Sequence, residues 1–278
     1  MPPFELMTKN PKEAEEYAKL VNDGFVDLCK KYPNHFPGWV AQAPMTAPDL
    51  GVREAARAMK NGALGVQIYN NVAGKPLDHP DFAPFWQAMN KTQTPIWLHP
   101  SLTASFPDYQ SETKSKYEIW WTLGWSYETA AAMSRMVISG MMDKYPKLKI
   151  ITHHFGGIVP MLEGRLGPGW DQIGARTSDE DLQKYKKALK KRPLDYFKHN
   201  FYCDTAVFGG KHATECGLAF YDADKIVFAS DCPFDPEKGT YYIRETLKIL
   251  DGLKLPKAKH KAIMHGNLEK LTGKKLVK

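Results

Sequence analysis

The chain has 278 residues, 43% of them hydrophobic, a length and apolar share that suit one α/β domain with a large core and give no sign of a second domain. Its net charge of +7 is scattered apart from the run 184–192, which reads as a solvated helix face, so nucleic acid is excluded as a partner and a mild attraction for anionic small molecules is what remains. No apolar run approaches membrane-spanning length, and the N-terminal residues lack the charged and apolar regions of a signal peptide, which points to a cytoplasmic protein.

Asn10-Pro11 signals a helix start, and Ala14, Tyr17, Ala18, Val21, Phe25 and Leu28 then recur at helical spacing until Tyr32-Pro33. A first strand is expected over 36–45, a helix over 49–60, a strand over 65–69 and a helix over 81–90. The next strand, Thr-Pro-Ile-Trp-Leu-His-Pro at 94–100, ends on His99. An aromatic segment with Trp120, Trp121 and Trp125 follows, as either a lid over a site or a plain cover for the end of the sheet. A helix over 130–142 leads into 148–157, Leu-Lys-Ile-Ile-Thr-His-His-Phe-Gly-Gly, a buried strand running into two histidines and a glycine turn. Helices over 160–170 and 179–190, strands over 201–207 and 225–230, and closing helices over 240–250 and 258–271 complete the chain. Strands alternating with helices at this spacing imply βαβ units and a parallel sheet of six strands.

Three of these strands finish on residues able to bind a metal or move a proton: His99, the pair His153-His154, and Asp231. In α/β folds the C-terminal strand edge is where active sites lie. Imidazole and carboxylate are ordinary ligands of zinc, so His99 and Asp231 are the candidate metal ligands. Strand alternation lets only one of His153 and His154 line the site. Asp204 is expected to partner a histidine. His35, His79, His199, His212 and His260 read as surface residues and His265 as a capping or packing residue. The four cysteines, with no CxxC pair, read as reduced, mostly buried thiols.

The series Gln42-Ala43-Pro44-Met45, Gly65-Val66-Gln67-Ile68, Leu98-His99-Pro100, His154-x-Gly-Gly and Ser230-Asp231-Cys232-Pro233-Phe234 resembles the amidohydrolase-related family of the amidohydrolase superfamily. That family includes aminocarboxymuconate-semialdehyde and γ-resorcylate decarboxylases. The resemblance implies a distorted TIM-like (β/α)8 barrel holding one divalent metal, most often zinc. It makes His99 and Asp231 metal ligands and His154 and Asp231 catalytic, which leaves His153 pointing toward the surrounding helices. Family members open with a His-x-His or Glu-x-His strand that has no counterpart here, so the first strand of this chain answers to the family's third. On that likeness two strands and two ligands are missing. A longer native chain, a covering second chain or loss of catalysis would each account for this, and two ligands alone imply weak metal binding.

The function implied is metal-dependent non-oxidative decarboxylation of a small unsaturated or aromatic carboxylic acid. The alternative is hydrolysis of a lactone, amide or β-keto bond on the same scaffold, and a third reading is a truncated non-catalytic paralogue. Open strand edges and the habit of related enzymes imply a homodimer.

Overall fold

The computed structural model describes residues 3–277. The Asn10 side chain accepts from the Lys12 N–H at 3.0 Å and Pro11 fills the first turn, which starts helix α1 (Pro11–Lys31) as its sequence requires. Strand β1 (Ala41–Gln42), helix α2 (Pro48–Lys60), β2 (Val66–Tyr69), helix α3 (Ala83–Thr92) and β3 (Pro95–His99) follow. Next come helix α4 (Gly124–Ile138), β4 (Lys149–Thr152), β5 (Phe201–Asp204), helix α5 (Lys211–Phe220), β6 (Ile226–Val227) and helix α6 (Tyr241–Gly252). The six strands pair in parallel, in chain order, as a single sheet.

Several elements are shorter than their sequence pattern. The strand expected over 36–45 survives as two residues, because Pro37 and Pro44 have no N–H to give a ladder. The helix expected over 160–170 breaks into a short 3₁₀ turn (Pro160–Leu162) and a π turn (Arg165–Gly169) around three glycines and Pro168. Helix α5 and a short helix over Pro193–His199 are not among the elements expected from the sequence.

Register divides the sheet into two chemically different faces. Ala41, Val66, Ile96, Ile150 and Phe201 stand side by side across five strands, each with no solvent exposure. This outer row packs against the helices, at roughly 1.5–3 kcal/mol for each large side chain buried. The inner row, one residue along, is Gln42, Gln67, Trp97, Ile151 and Tyr202. Leu268 and Leu271 of the last helix (Asn267–Thr272) pack on the lower part of this inner face against Trp97, Ile151, Tyr202 and Val227. Its upper part, where Tyr69, His99 and Asp204 follow at two-residue spacing, stays open for a pocket.

The edges of the sheet are not open, contrary to the expectation from six unclosed strands. On β1, the Gln42 N–H donates to the Asn22 side-chain oxygen at 2.9 Å, and the Asn22 amide donates to the Gln42 carbonyl at 3.1 Å. One fully buried carboxamide on α1 thus does the work of a neighbouring strand. The same amide donates to Glu54 at 2.7 Å, and Glu54 receives two further bonds from Arg57, each of 2.8 Å. On β6, the Asn267 amide donates to the Ile226 carbonyl at 2.7 Å, and the Phe228 N–H donates to the Ile263 carbonyl at 2.9 Å. All four cysteines are unpaired, but Cys203 alone is fully buried and Cys232 is exposed. Among the described residues, no helix is long and apolar enough to cross a membrane.

Candidate active site

His99 closes β3, with its Nδ1 2.6 Å from the Pro100 carbonyl oxygen. A carbonyl only accepts, so that nitrogen carries the proton and Nε2 turns its lone pair to the pocket. Burial, reinforced by the neighbouring His153 and His154 rings, holds the pKa of His99 well below the usual range, so the ring stays neutral.

His154 enters the site by a different route. The chain leaves β4 in extended backbone at His153 and then runs through four left-handed residues: His154 (φ 58°), Phe155 (52°), Gly156 (73°) and Gly157 (66°). Each non-glycine residue there costs about 1–2 kcal/mol. Packing holds the turn in place. The buried Phe155 ring lies against Gly217, where a Cβ would overlap it, and a Cβ at Gly157 would strike the Ser126 backbone. Asp231 is also left-handed, at φ 65°.

The ligand atoms of His99, His154 and Asp231 all lie within 4.8 Å of one another, with His154 Nε2 3.8 Å from Asp231 Oδ2. The three residues singled out from sequence are therefore brought together, and Asp204 takes the place expected of it as a histidine's partner, 2.8 Å from His153 Nδ1.

His153 itself is misplaced by the sequence reading. Its ring lines the pocket, 4.9 Å from the His99 ring, and does not point into the helices. Alternation was applied without register. Trp97 pairs with Ile151, so the residues two further on, His99 and His153, share the inner face, and it is His154 that needs the left-handed turn to join them. A count of two from each paired residue is the signal that could have found it.

Asp204 is fully buried and accepts from the His154 N–H at 2.8 Å and the Ala206 N–H at 3.1 Å. Burial pushes its pKa up, but His153, His154 and the backbone donors outweigh this and leave it below the usual range, as a carboxylate. That anion keeps the His153 proton on Nδ1, and Nε2 faces inward. The Nε2 atoms of both His153 and His154 are buried with no hydrogen-bond partner among the described residues.

His99, His153 and Asp231 line a pocket of about 770 Å³. Tyr69, Trp120, Trp121, Trp125, Phe208 and Tyr242 form much of its wall, and no lysine or arginine lines it among the described residues. The aromatic segment is thus part of the site: Trp125 stands 5.5 Å from the His99 ring and 5.5 Å from Trp120. Glu128 on α4 clamps the loop after β3, accepting from the Ser101 and Leu102 N–H groups at 2.8 Å each and from the Asn71 amide at 2.6 Å. The Trp125 indole N–H donates to the Leu102 carbonyl at 2.9 Å. Sequence reasoning missed Glu128 because its contacts join parts of the chain 26 to 57 residues apart.

Two nitrogens, one carboxylate and unpartnered buried Nε2 atoms fit a divalent ion such as Zn²⁺ or Mn²⁺. The chain is similar to the γ-resorcylate decarboxylase of Polaromonas sp. (strain JS666), with 32% identity over 238 residues, 80% of this chain and 67% of that protein. It superposes on the 5-carboxyvanillate decarboxylase of Novosphingobium aromaticivorans, solved with manganese and 4-hydroxy-3-methoxy-5-nitrobenzoic acid, with a TM-score of 0.80 and 25% identity, covering 95% of this chain and 72% of that one. A dihydroxybenzoic acid decarboxylase of Polaromonas sp. JS666, with bound manganese and 2-nitroresorcinol, superposes with a TM-score of 0.75 at 27% identity, over 95% of this chain and 77% of that one. The family model described as amidohydrolase matches residues 5–273. From its strand-end histidines and aspartate to its order of strands, the chain belongs to the amidohydrolase family.

Proposed function

We propose that this protein is a metal-dependent, non-oxidative decarboxylase of a small aromatic carboxylic acid. The observation that carries the reading is the meeting of His99, His154 and Asp231 at the base of an aromatic-walled pocket, in a chain similar to decarboxylases of aromatic acids. His99 and Asp231 hold the metal, and His154 and Asp231 are the catalytic pair. When bound, the metal supplies Lewis acidity that orients the acid and stabilises negative charge in the reaction.

The residues of the chain do the rest. The tryptophans and Tyr69 accept a flat ring and exclude water from it. The bond from ring carbon to carboxylate breaks, its electron pair stays on the ring carbon, a proton replaces the lost group and CO₂ departs. Asp231 and the imidazoles of His153 and His154 are the proton-carrying side chains at this end of the pocket.

The chain acts as one domain, which its single main sheet and core support. Zinc is the metal expected from the donor set, while manganese is the ion in the related structures. A homodimer and a cytoplasmic location complete the reading, the first supported by the exposed Tyr117, Leu123 and Tyr127 beside the mouth and the second by four unpaired cysteines. The gathering of His99, His154 and Asp231 in one cluster supports this reading over the non-catalytic alternative, whose premise is the missing His-x-His strand.

The test is CO₂ release from a panel of hydroxybenzoates by protein loaded with Zn²⁺ or Mn²⁺. Turnover should vanish with a chelator and return with the metal. Hydrolysis of aryl esters or lactones with no CO₂ from any acid would overturn the decarboxylase reading in favour of the hydrolase one.

A further inference from the structure

The motifs Gln42-Ala43-Pro44-Met45 and Gly65-Val66-Gln67-Ile68 supply polar side chains that the cluster of His99, His154 and Asp231 does not use. Gln42 and Gln67 are paired across β1 and β2, and Tyr69, two residues along from Gln67 on the same inner face, is paired with His99. The three side chains form a directed series. Gln67 Nε2 donates to the Tyr69 hydroxyl at 3.4 Å, and that hydroxyl donates to Gln42 Oε1 at 3.4 Å. Both are longer than a good hydrogen bond of about 3 Å. Gln42 is buried and its backbone is pinned by Asn22, which anchors one end. Gln67 is the other end, half-buried in the pocket wall, and its Oε1 takes no hydrogen bond among the described residues. Neighbouring hydroxyls of the wall are spent locally, Ser101 on Asn71 and Glu128 and Thr103 on Ser105.

One N–H and the carbonyl oxygen of the Gln67 carboxamide are therefore left for an occupant of the pocket. A hydroxyl both donates and accepts, and matches them without charge. A second carboxylate only accepts, and would set its charge beside a neutral amide where no cation lines the pocket among the described residues. We propose that Gln67, backed by Tyr69 and Gln42, is a specificity-determining residue whose carboxamide binds an uncharged hydroxyl on the ring of the acid. This rests on the decarboxylase reading above and narrows it to hydroxylated aromatic monocarboxylic acids. The Tyr69 ring lies 6.1 Å from the His99 ring, so the polar series begins one strand away from the cluster. Carboxylate and hydroxyl are then read by side chains on adjacent strands of one sheet, whose register fixes the distance between them.

Ligand binding to the Zn²⁺-loaded full chain tests this without reference to turnover, read from quenching of the pocket tryptophans. The ligands are benzoate, its ortho-, meta- and para-hydroxy derivatives, and isophthalate. The wild type should bind at least one hydroxybenzoate about tenfold or more tighter than benzoate, and isophthalate no tighter than benzoate. Gln67→Met, similar in length but without the carboxamide, should bring the ratio of hydroxybenzoate to benzoate affinity to within about threefold of one. Tyr69→Phe, which keeps the ring, should lower the same ratio by about threefold or more. A residue that only held the wall would weaken all these acids alike and leave the ratio where it was. The wild-type ratio in folded Gln67→Met, or in Tyr69→Phe where Gln67→Met does not fold, would overturn the inference. So would a wild-type ratio near one, or isophthalate binding tighter than every hydroxybenzoate. Each of these leaves the decarboxylase reading standing, since CO₂ release tests it separately. Failure of the Zn²⁺-loaded wild type to bind any of the acids would bring down both.

Discussion

Replacing Asn22 by alanine should be among the most damaging single substitutions in this protein, although the residue does not line the pocket. Its carboxamide is fully buried and makes three bonds, two to the Gln42 backbone and one to Glu54. Truncation strands the Gln42 N–H and carbonyl in a place closed to water, at about 1–3 kcal/mol for each, and removes one donor from a buried carboxylate, at about 1.5–3 kcal/mol. Glu54 keeps both Arg57 bonds, which limits the last contribution. The expected loss is about 3–6 kcal/mol, or roughly 10 °C or more in Tm for a domain of this size. Urea denaturation of the metal-free protein, followed by circular dichroism, measures it. Hydrogen exchange at the Gln42 amide should accelerate in step. Asn22→Asp is the sharper control. It keeps the acceptor for the Gln42 N–H, but sets a second carboxylate against Glu54 and the Gln42 carbonyl, so it should be no more stable than the alanine variant at neutral pH. A loss below about 1 kcal/mol for alanine, or wild-type stability for aspartate, would show that the edge is held by something other than this side chain.

Glu128→Ala should free the loop after β3 and loosen Trp125, raising KM by about tenfold or more with a smaller change in kcat, and Glu128→Gln should recover part of the loss; equal effects of the two on kcat alone would refute a clamping role. Glu269 accepts from the Leu276 and Val277 N–H groups, and these bonds, with help from His265, lower its pKa to about 2. Since the folded value lies below the unfolded one, the contribution to stability is full at neutral pH and disappears as pH falls from about 4.5 toward 2. Carbon-detected NMR titration should place this carboxyl near 2, and Glu269→Gln should flatten the acid limb of Tm against pH; a midpoint near 4.5 would refute the assignment.

The parts of this architecture that depend on local pattern were legible in the residues. Asn10-Pro11 opens α1, and the apolar runs before His99 and His153 are strands. The family likeness brought His99, His154 and Asp231 into one site before any coordinates did. What escaped was set by contacts between distant segments. Nothing in the neighbourhood of Asn22 announces that it will stand in for a β-strand, because the groups it satisfies lie 20 residues away. The placement of His153 was a failure of a different kind. Period-2 alternation is sound inside β4, but which phase faces inward follows from pairing with β3, and the residue after the strand abandons the period altogether.

That no lysine or arginine lines the pocket among the described residues has a bearing on how the proposed catalytic cycle ends. On the proposed reading an aromatic acid enters as an anion, and among the described lining residues it is the metal-holding cluster at the base that answers that charge. Once CO₂ is lost, the remaining ring no longer carries a carboxylate for that cluster to grip, and a neutral hydroxyl and contact with the walls are what hold it. Substrate and product are then told apart by the very group that is removed, so the affinity that recruits the acid is cancelled by its own consumption. Compounds that keep an anionic substituent at that position should outlast the product in the pocket by a wide margin.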